Sequence, residues 1–161
     1  MASVLFVCTA NRYRSPIAAA CFKDELLKRK NIQDWNISSA GTWTTDGVPA
    51  VPDAIRKARQ FGLDIQAHRS RAITAELLQQ AGLILVMEQG QKEALQIEFK
   101  FARPRVFLLT EVVEGIPNDI PDPMNDPGNI DVVPSICELI RTGFNKIYIL
   151  AIESEDKLRS G

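Results

Sequence analysis

The sequence contains few of the residues from which metal sites and disulfide frameworks are built. Its 161 residues include three cysteines and a single histidine. Cys8, Cys21 and Cys137 are odd in number, lie far apart and form no CxxC pair. This pattern excludes most zinc motifs and the disulfide framework of a small secreted domain. Free thiols are typical of a reducing compartment, so we expect a cytoplasmic protein.

An excess of one charge and long apolar runs are also absent. Basic and acidic residues number 19 and 20, a net charge of −1, so neither nucleic acid nor an anionic membrane is an expected partner. The segment MASVLFVCTA is not a secretion signal, because it lacks a basic start and its apolar stretch is only VLFV. No apolar run reaches the length of a membrane span. Length and composition predict one domain over residues 1–161, which we expect to be monomeric.

Apolar runs alternate with helical patterns along the chain. Strands are expected at residues 4–7, 35–42, 83–87 and 105–110. Helices are expected at residues 15–31, 51–62, 74–82, 91–100 and from 131 onward. The β-branched segment KIYILAI at 146–152 fits either type, and we assign it to a helix. The alternation predicts a three-layer α/β fold in which helices flank a four-stranded parallel sheet.

The most informative segment is VLFVCTANRYRSP at residues 4–16, where a thiol follows a buried strand directly. Cys8 is thereby placed at the carboxyl end of the strand, where ligands bind in parallel sheets. Ser15 suits an N-cap and Pro16 the first helical position. Backbone N–H groups in a loop that enters a helix form an anion site, and residues 9–13 supply such a loop.

Arg14 follows Cys8 after five intervening residues. Its guanidinium matches phosphate oxygens, and the positive field of the loop favours the thiolate form of Cys8, an activated nucleophile. Taken alone, a cysteine after an apolar strand is typical of core packing, and a lone arginine is typical of a solvated surface. The combination C-x5-R-S-P at a helix start predicts a phosphate site with a nucleophile at its base.

The segment VCTANRYRSP resembles the signature loop of the low-molecular-weight protein tyrosine phosphatases. The resemblance continues through SAGT (39–42), GVPAVPDA (47–54), GLDIQAHRSR (62–71), LILVM (83–87) and IPDP (120–123). It implies hydrolysis of tyrosine-phosphorylated proteins without metal or cofactor, and inhibition by inorganic phosphate or vanadate. The loop residues implied to bind phosphate are Thr9, Ala10, Asn11, Arg12, Tyr13, Arg14 and Ser15.

The resemblance also implies the catalytic roles. Cys8 attacks phosphorus to form a phosphocysteine, and Arg14 holds the equatorial oxygens. An aspartate followed by proline protonates the leaving group and then activates water. Asp122 and Asp126 both precede a proline, and Asp122 is favoured because it follows Ile-Pro as in the family. A surface turn in which the aspartate only caps is the alternative.

Five further residues match supporting positions of the family. Asn11, Ser15, Ser39 and His68 correspond to the polar network that holds the loop in shape. His68 is implied to help hold Asn11, and packing of the loop or core is its alternative. Trp43 is the candidate aromatic wall for the substrate ring, with an ordinary surface or core position as its alternative.

Several positions depart from the usual family pattern. Ala10 replaces a common glycine, and Arg12 stands where an apolar residue or threonine is frequent. Tyr13 replaces a second cysteine that can trap an oxidised nucleophile as a disulfide, so this protection is not expected. Met124 and Asn125 replace tyrosines that often follow the late Asp-Pro, so regulation through their phosphorylation is not expected.

Three other functions share parts of the pattern. An arsenate reductase has the same fold and loop but needs a resolving cysteine pair after the third strand, and residues 83–95 contain none. Phosphoarginine phosphatases tend to carry threonine at the position of Arg12, which ranks that substrate lower. The third alternative is a non-catalytic phosphotyrosine-binding module. The presence of Cys8, Arg14 and Asp122 together argues against it, whereas the departures in the loop leave it open.

Overall fold

The computed structural model describes residues 1–29, 34–125 and 131–161, and its centre is a four-stranded parallel sheet. The strands are β1 (Ala2–Cys8), β2 (Trp35–Gly41), β3 (Leu83–Val86) and β4 (Val106–Leu108), in the order β2-β1-β3-β4. All neighbouring pairs are parallel. The predicted α/β class is therefore confirmed.

The helices alternate with the strands along the chain. They are α1 (Arg14–Arg29), α2 (Pro52–Gln60), α3 (Ala75–Gln80), α4 (Gln89–Glu98), α5 (Leu109–Glu114), α6 (Val133–Thr142) and α7 (Phe144–Ser160), with a 3₁₀ helix at Lys100–Arg105. The ambiguous segment 146–152 lies within α7, so the helical assignment is confirmed. Phe144, Ile147 and Ala151 are buried at helical spacing along α7. Within the described parts of the chain, no helix combines the length and apolar character needed to cross a membrane.

The sheet separates two apolar clusters, which gives the molecule three layers. Successive residues of a strand point to opposite faces, so Phe6 belongs to one cluster while Leu5 and Val7 belong to the other. The first cluster joins the sheet to α1, α2, α6 and α7. The second joins it to α3, α4 and the 3₁₀ helix. Helices therefore cover both faces of the sheet, as the continuous apolar runs of the strands indicated.

Several predicted boundaries are wrong by one or more residues, and the helical region predicted from residue 131 onward is two helices, α6 and α7. The fourth strand, expected at 105–110, is confined to Val106–Leu108, and α5 begins at Leu109. The side chain of Glu111 accepts a 2.9 Å hydrogen bond from the Leu108 N–H, which caps the new helix and ends the strand. The helix expected from residue 15 begins at Arg14, so Ser15 is not its N-cap. The predicted end of that helix, residues 30 and 31, lies outside the described residues.

The order of the strands places one loop at a special position. From β1 the chain crosses through α1 to β2 on one side, whereas β3 pairs with β1 on the other side. The carboxyl end of β1 is therefore the switch point of the sheet, where open α/β folds form a ligand crevice. Cys8 is the last residue of β1.

Candidate active site

The predicted nucleophile lies at the bottom of the loop between β1 and α1. Cys8 is 2% exposed, and its Sγ lies 3.0 Å from Oγ of Ser15 in the first turn of α1. Because the helix begins at Arg14, the Ser15 hydroxyl does not cap the helix and instead faces the sulfur. A hydroxyl in this place can donate a hydrogen bond to a thiolate.

The backbone of the loop directs its carbonyl groups away from the loop centre. Three of them accept hydrogen bonds from surrounding segments: Cys8 from the Thr42 N–H (2.9 Å), Thr9 from the Trp43 N–H (3.0 Å) and Arg12 from the Val51 N–H (3.0 Å). Asn11 has a left-handed conformation, with φ of 57°, which asparagine tolerates better than most residues. Outward carbonyls and a left-handed residue are features of a backbone that turns successive N–H groups inward toward an anion.

Asn11 is the fully buried centre of a polar network that holds this conformation. Its Nδ2 donates to Ser15 Oγ at 2.8 Å and to Ser39 Oγ at 2.9 Å. Its Oδ1 accepts from the Arg71 N–H at 2.9 Å, and its own carbonyl lies 2.7 Å from Nε2 of His68. The structure thus brings together the four residues assigned to loop support, and adds the backbone of Arg71.

The environment of His68 favours its neutral form. Burial lowers the pKa of His68 below its ordinary value, and the nearby cations Arg69 and Arg71 lower it further. The hydrogen bond with the Asn11 carbonyl acts in the opposite direction. A neutral imidazole that carries its proton on Nε2 satisfies this carbonyl without placing a third cation beside the two arginines.

Arg14 is 1% exposed and is surrounded by oxygen atoms. Its Nη1 donates to the Ile120 carbonyl at 2.7 Å and lies 3.3 Å from Oε2 of Glu88. Its Nη2 lies 3.5 Å from Oδ2 of Asp122. A buried guanidinium is costly unless it is paired and hydrogen-bonded, and these groups meet that requirement. They also fix the plane of the guanidinium beside the loop.

The segment at residues 115–125 brings Asp122 to this place. The Ile120 N–H donates to the Met87 carbonyl at 2.9 Å, which attaches the segment to the end of β3. Oδ1 of Asp122 accepts from the Met124 N–H at 2.9 Å, a turn in which the side chain caps its own backbone. The other carboxylate oxygen, Oδ2, faces Arg14. The side chain is 13% exposed.

Of the two aspartates proposed as the acid, only Asp122 can be located. Asp126 lies outside the described residues. Asp122 has both features weighed in the sequence, since it caps a turn and also faces Arg14. The preference between the two aspartates therefore stays a prediction.

Sequence reasoning missed two residues, Glu88 and Gln91, at the start of α4. Besides its position beside the arginine, Glu88 accepts a 2.9 Å hydrogen bond from Nε2 of Gln91. The same amide donates to Oγ1 of Thr9 at 3.0 Å, so Gln91 links α4 to the phosphate loop. The available signal was the capping box of a carboxylate and a glutamine three residues later, directly after a buried strand.

Two of the departures from the family pattern make specific contacts. Tyr13 is 3% exposed and donates a 2.7 Å hydrogen bond to Oδ2 of Asp53. Burial and this bond raise the pKa of Tyr13, while the bond from Tyr13 lowers the pKa of Asp53. Nε of Arg12 donates to the Pro49 carbonyl at 2.9 Å. Both side chains therefore join the loop to the segment that leads into α2.

The rim of the site on the side of β2 contains Gly41 and Trp43. A Cβ at Gly41 would lie 2.6 Å from the carbonyl oxygen of Thr9, so the loop approaches closely only because this position is glycine. Trp43 is 85% exposed and adjoins the loop through its backbone N–H. The structure thus places Trp43 beside the loop, and its role as the substrate wall stays a prediction.

Known phosphatases are similar to this chain over most of its length. A family model described as low molecular weight phosphotyrosine protein phosphatase matches residues 3–157. The probable low molecular weight protein-tyrosine-phosphatase EpsP of Ralstonia nicotianae is 36% identical over 75% of this chain and 77% of its own. A protein-arginine-phosphatase of Geobacillus stearothermophilus is 35% identical over 77% and 80%, respectively. The solution structure of a low molecular weight protein tyrosine phosphatase from Bacillus subtilis has a TM-score of 0.80 at 31% identity, covering 91% of this chain and 97% of that one.

Proposed function

The chain belongs to the low molecular weight phosphotyrosine protein phosphatase family, and we propose that it hydrolyses phosphotyrosine in proteins through a phosphocysteine intermediate. Cys8 is the nucleophile, Arg14 holds the phosphoryl group, and Asp122 is the general acid and base. The observation that carries this proposal is the 3.5 Å approach of Arg14 Nη2 to Asp122 Oδ2 beside the loop that begins at Cys8. It supports the proposal because it brings an aspartate from late in the chain to the arginine of the loop that begins at Cys8.

In the first step, the thiolate of Cys8 attacks phosphorus in line with the departing phenolate. The Ser15 hydroxyl, 3.0 Å from the sulfur, stabilises the thiolate by donating a hydrogen bond. The P–O bond to the phenol breaks, and the protonated carboxyl of Asp122 gives its proton to the leaving oxygen. The guanidinium of Arg14 and the inward N–H groups of the loop stabilise the equatorial oxygens as charge is redistributed.

In the second step, the ionised carboxylate of Asp122 removes a proton from water. The water attacks phosphorus, the S–P bond of the phosphocysteine breaks, and inorganic phosphate leaves. Each proton transfer and each stabilising charge in the two steps is assigned to a side chain or backbone group of this chain. The proposal therefore contains no metal and no cofactor.

Phosphoarginine is the second candidate substrate, because several of the similar proteins are named arginine phosphatases. The same loop chemistry could cleave a P–N bond. Arg12 favours phosphotyrosine over this candidate. Its side chain extends to the Pro49 carbonyl at the edge of the loop, and its cation would repel the guanidinium of a phosphorylated arginine.

The test compares peptides of one sequence that carry either phosphotyrosine or phosphoarginine. We expect kcat/KM for phosphotyrosine to be higher by about tenfold or more, which corresponds to about 1.4 kcal/mol in the barrier. A higher kcat/KM for the phosphoarginine peptide would identify phosphoarginine as the substrate instead. Binding of the phosphotyrosine peptide without turnover would instead identify a non-catalytic binding module.

The variant Cys8→Ser separates catalysis from phosphate binding. Turnover of either peptide should be abolished because serine lacks the thiolate nucleophile. Affinity for phosphate or vanadate should be retained, because the loop N–H groups and Arg14 are unchanged. Activity at the level of the unaltered protein would remove Cys8 from the mechanism.

A further inference from the structure

Two thiols that the proposed mechanism does not use lie in direct contact. Cys21 in α1 and Cys137 in α6 are 116 residues apart in the sequence, and their Sγ atoms are 2.9 Å apart. Both are free cysteines. The packing of α1 against α6 holds the two sulfurs in contact, about 0.9 Å farther apart than the sulfurs of a disulfide bond.

The two buried thiols border a surface pocket. The residues retain 5% and 8% exposure, respectively. Both line a surface pocket of about 70 Å³ whose other walls include Asp24, Lys28 and Arg141. A water molecule takes up about 30 Å³ in the liquid, so a molecule the size of a hydroperoxide group can enter.

The surroundings make the two sulfurs chemically unequal. The hydrogen bond from Cys21 and the cation of Arg141, one helical turn away, lower the pKa of Cys137. The same hydrogen bond, together with burial, raises the pKa of Cys21. Because Arg141 lies one helical turn from Cys137 and lines the same pocket, its cation favours Cys137 over Cys21 as the sulfur that attacks first.

We propose that Cys21 and Cys137 are a reversible redox pair, separate from the active site, that forms a disulfide when the protein meets hydrogen peroxide. The Cys137 thiolate attacks one peroxide oxygen, an S–O bond forms, the O–O bond breaks, and the other oxygen leaves as water after taking up a proton. The Cys21 thiol then attacks the sulfenic sulfur, the S–S bond forms, and the S–O bond breaks to release a second water. The two thiols lose two electrons to the peroxide, and a dithiol reductant reverses the reaction.

The bond would covalently join α1 to α6. Because it closes a loop of 116 residues, it restricts the unfolded chain, and we expect Tm to rise by roughly 5–10 °C. Cys21 lies about two helical turns beyond Arg14, so the link leaves the phosphate loop itself unchanged. Tyr13 stands at the loop position where the family often has a second cysteine. The loop therefore offers Cys8 no neighbouring thiol, and its oxidation is a separate event from oxidation of the Cys21–Cys137 pair.

The test uses the unaltered chain, because trypsin places the three cysteines on three peptides, residues 1–12, 15–23 and 106–141. The protein is treated with hydrogen peroxide, remaining thiols are alkylated under denaturing conditions, and the digest is examined by mass spectrometry without reduction. We expect peptides 15–23 and 106–141 to be linked with the loss of two hydrogen atoms. The link and the rise in Tm should both disappear after treatment with dithiothreitol.

Two variants complete the test. Cys8→Ser should still form the link, and Cys137→Ala should lose both the link and the shift in Tm. Alkylation of both thiols after peroxide, a link to peptide 1–12, or links only between molecules would overturn the proposal. A link with an unchanged Tm would overturn the predicted stabilisation of the folded protein by the disulfide. If Cys137→Ala does not fold, the peptide map of the unaltered chain still decides between these outcomes.

Discussion

The phenol of Tyr13 donates a 2.7 Å hydrogen bond to Asp53 in the first turn of α2. This bond ties the phosphate loop to a helix that contributes no residue to the proposed chemistry. A cysteine, the usual residue at this position in the family, is too short to make the same contact. The substitution therefore exchanges a possible redox partner of Cys8 for a fixed structural link.

Tyr13→Phe should destabilise the protein without removing its activity. The variant keeps the buried ring and loses only the hydroxyl, so the free energy of unfolding should fall by about 1 kcal/mol. Urea unfolding at neutral pH measures this loss, and kcat/KM should change by less than about threefold, since the hydroxyl faces away from the phosphate site. Asp53→Asn, which keeps an acceptor oxygen, is the matched control and should lose less stability.

The effect of Tyr13→Phe should also depend on pH. The hydrogen bond lowers the pKa of Asp53 in the folded state, so this stabilisation is complete above the unfolded value of about 3.9. It is lost as the pH falls through the folded value. The difference between the two proteins should therefore be constant near neutral pH and shrink in acid. No difference at neutral pH would mean that the bond contributes nothing.

Arg14→Lys should be severely impaired although the charge is kept. Lysine has one nitrogen and cannot occupy at once the positions that face Ile120, Glu88 and Asp122. We expect kcat/KM to fall more than about tenfold, about 1.4 kcal/mol, in a steady-state assay with an aryl phosphate. Arg12→Lys makes the same change at the edge of the loop and should cost much less. A loss of less than about tenfold in kcat/KM for Arg14→Lys would contradict the proposed role of Arg14 in holding the phosphoryl group.

The role of Asp122 can be measured through the leaving group. Asp122→Asn should slow hydrolysis of phenyl phosphate by about 10²–10⁴-fold, because the phenolate leaves poorly without a proton. Activated aryl phosphates should be affected less. Asp126→Asn should change little with either substrate. Pre-steady-state bursts must be recorded as well, since the same carboxyl acts as the base in the second step. If Asp126→Asn showed this dependence on the leaving group and Asp122→Asn did not, the general acid would be Asp126.

His68 should act on the reaction through the shape of the loop. His68→Ala removes the donor to the Asn11 carbonyl, and we expect kcat/KM to fall about five- to tenfold, equivalent to about 1 kcal/mol. His68→Gln retains an N–H donor and should recover part of this loss. Equal activity of the two variants would show that the hydrogen bond is not what positions the loop.

The same histidine should make stability depend on pH. Because burial lowers the pKa of His68 in the folded state, the unfolded chain takes up a proton first as the pH falls through about 6.5. The stability associated with the neutral ring is therefore complete above that pH and decreases below it. Urea unfolding between about pH 7 and 5 should show a steeper decline for the unaltered protein than for His68→Gln. Parallel declines would contradict this assignment.

Local features of the chain were predictable from the sequence. A buried strand, a thiol, five loop residues, an arginine and a helix start all lie within residues 4–16, and the structure places Cys8 at the end of β1 and Arg14 at the start of α1. The α/β class and the family were predicted correctly for the same reason, because their signals are short motifs in a fixed order. The boundary between β4 and α5 was not predicted correctly, because RVFLLT is apolar enough for either a strand or a helix. The hydrogen bond to the side chain of Glu111 decides where the strand ends.

Contacts across long separations could not be read from the sequence. Nothing in the order of residues indicates that Glu88 faces Arg14, that Tyr13 reaches Asp53, or that Cys21 meets Cys137. The spacing of the cysteines even argued against any disulfide framework. Such pairs depend on which faces of α1, α4 and α6 pack together, and packing is settled by the whole apolar core. The sequence alone therefore determined the position of the loop between β1 and α1, because backbone geometry there is local. The tertiary structure decided which charges and thiols surround it, because only burial of the helices on the sheet brings distant side chains within bonding distance.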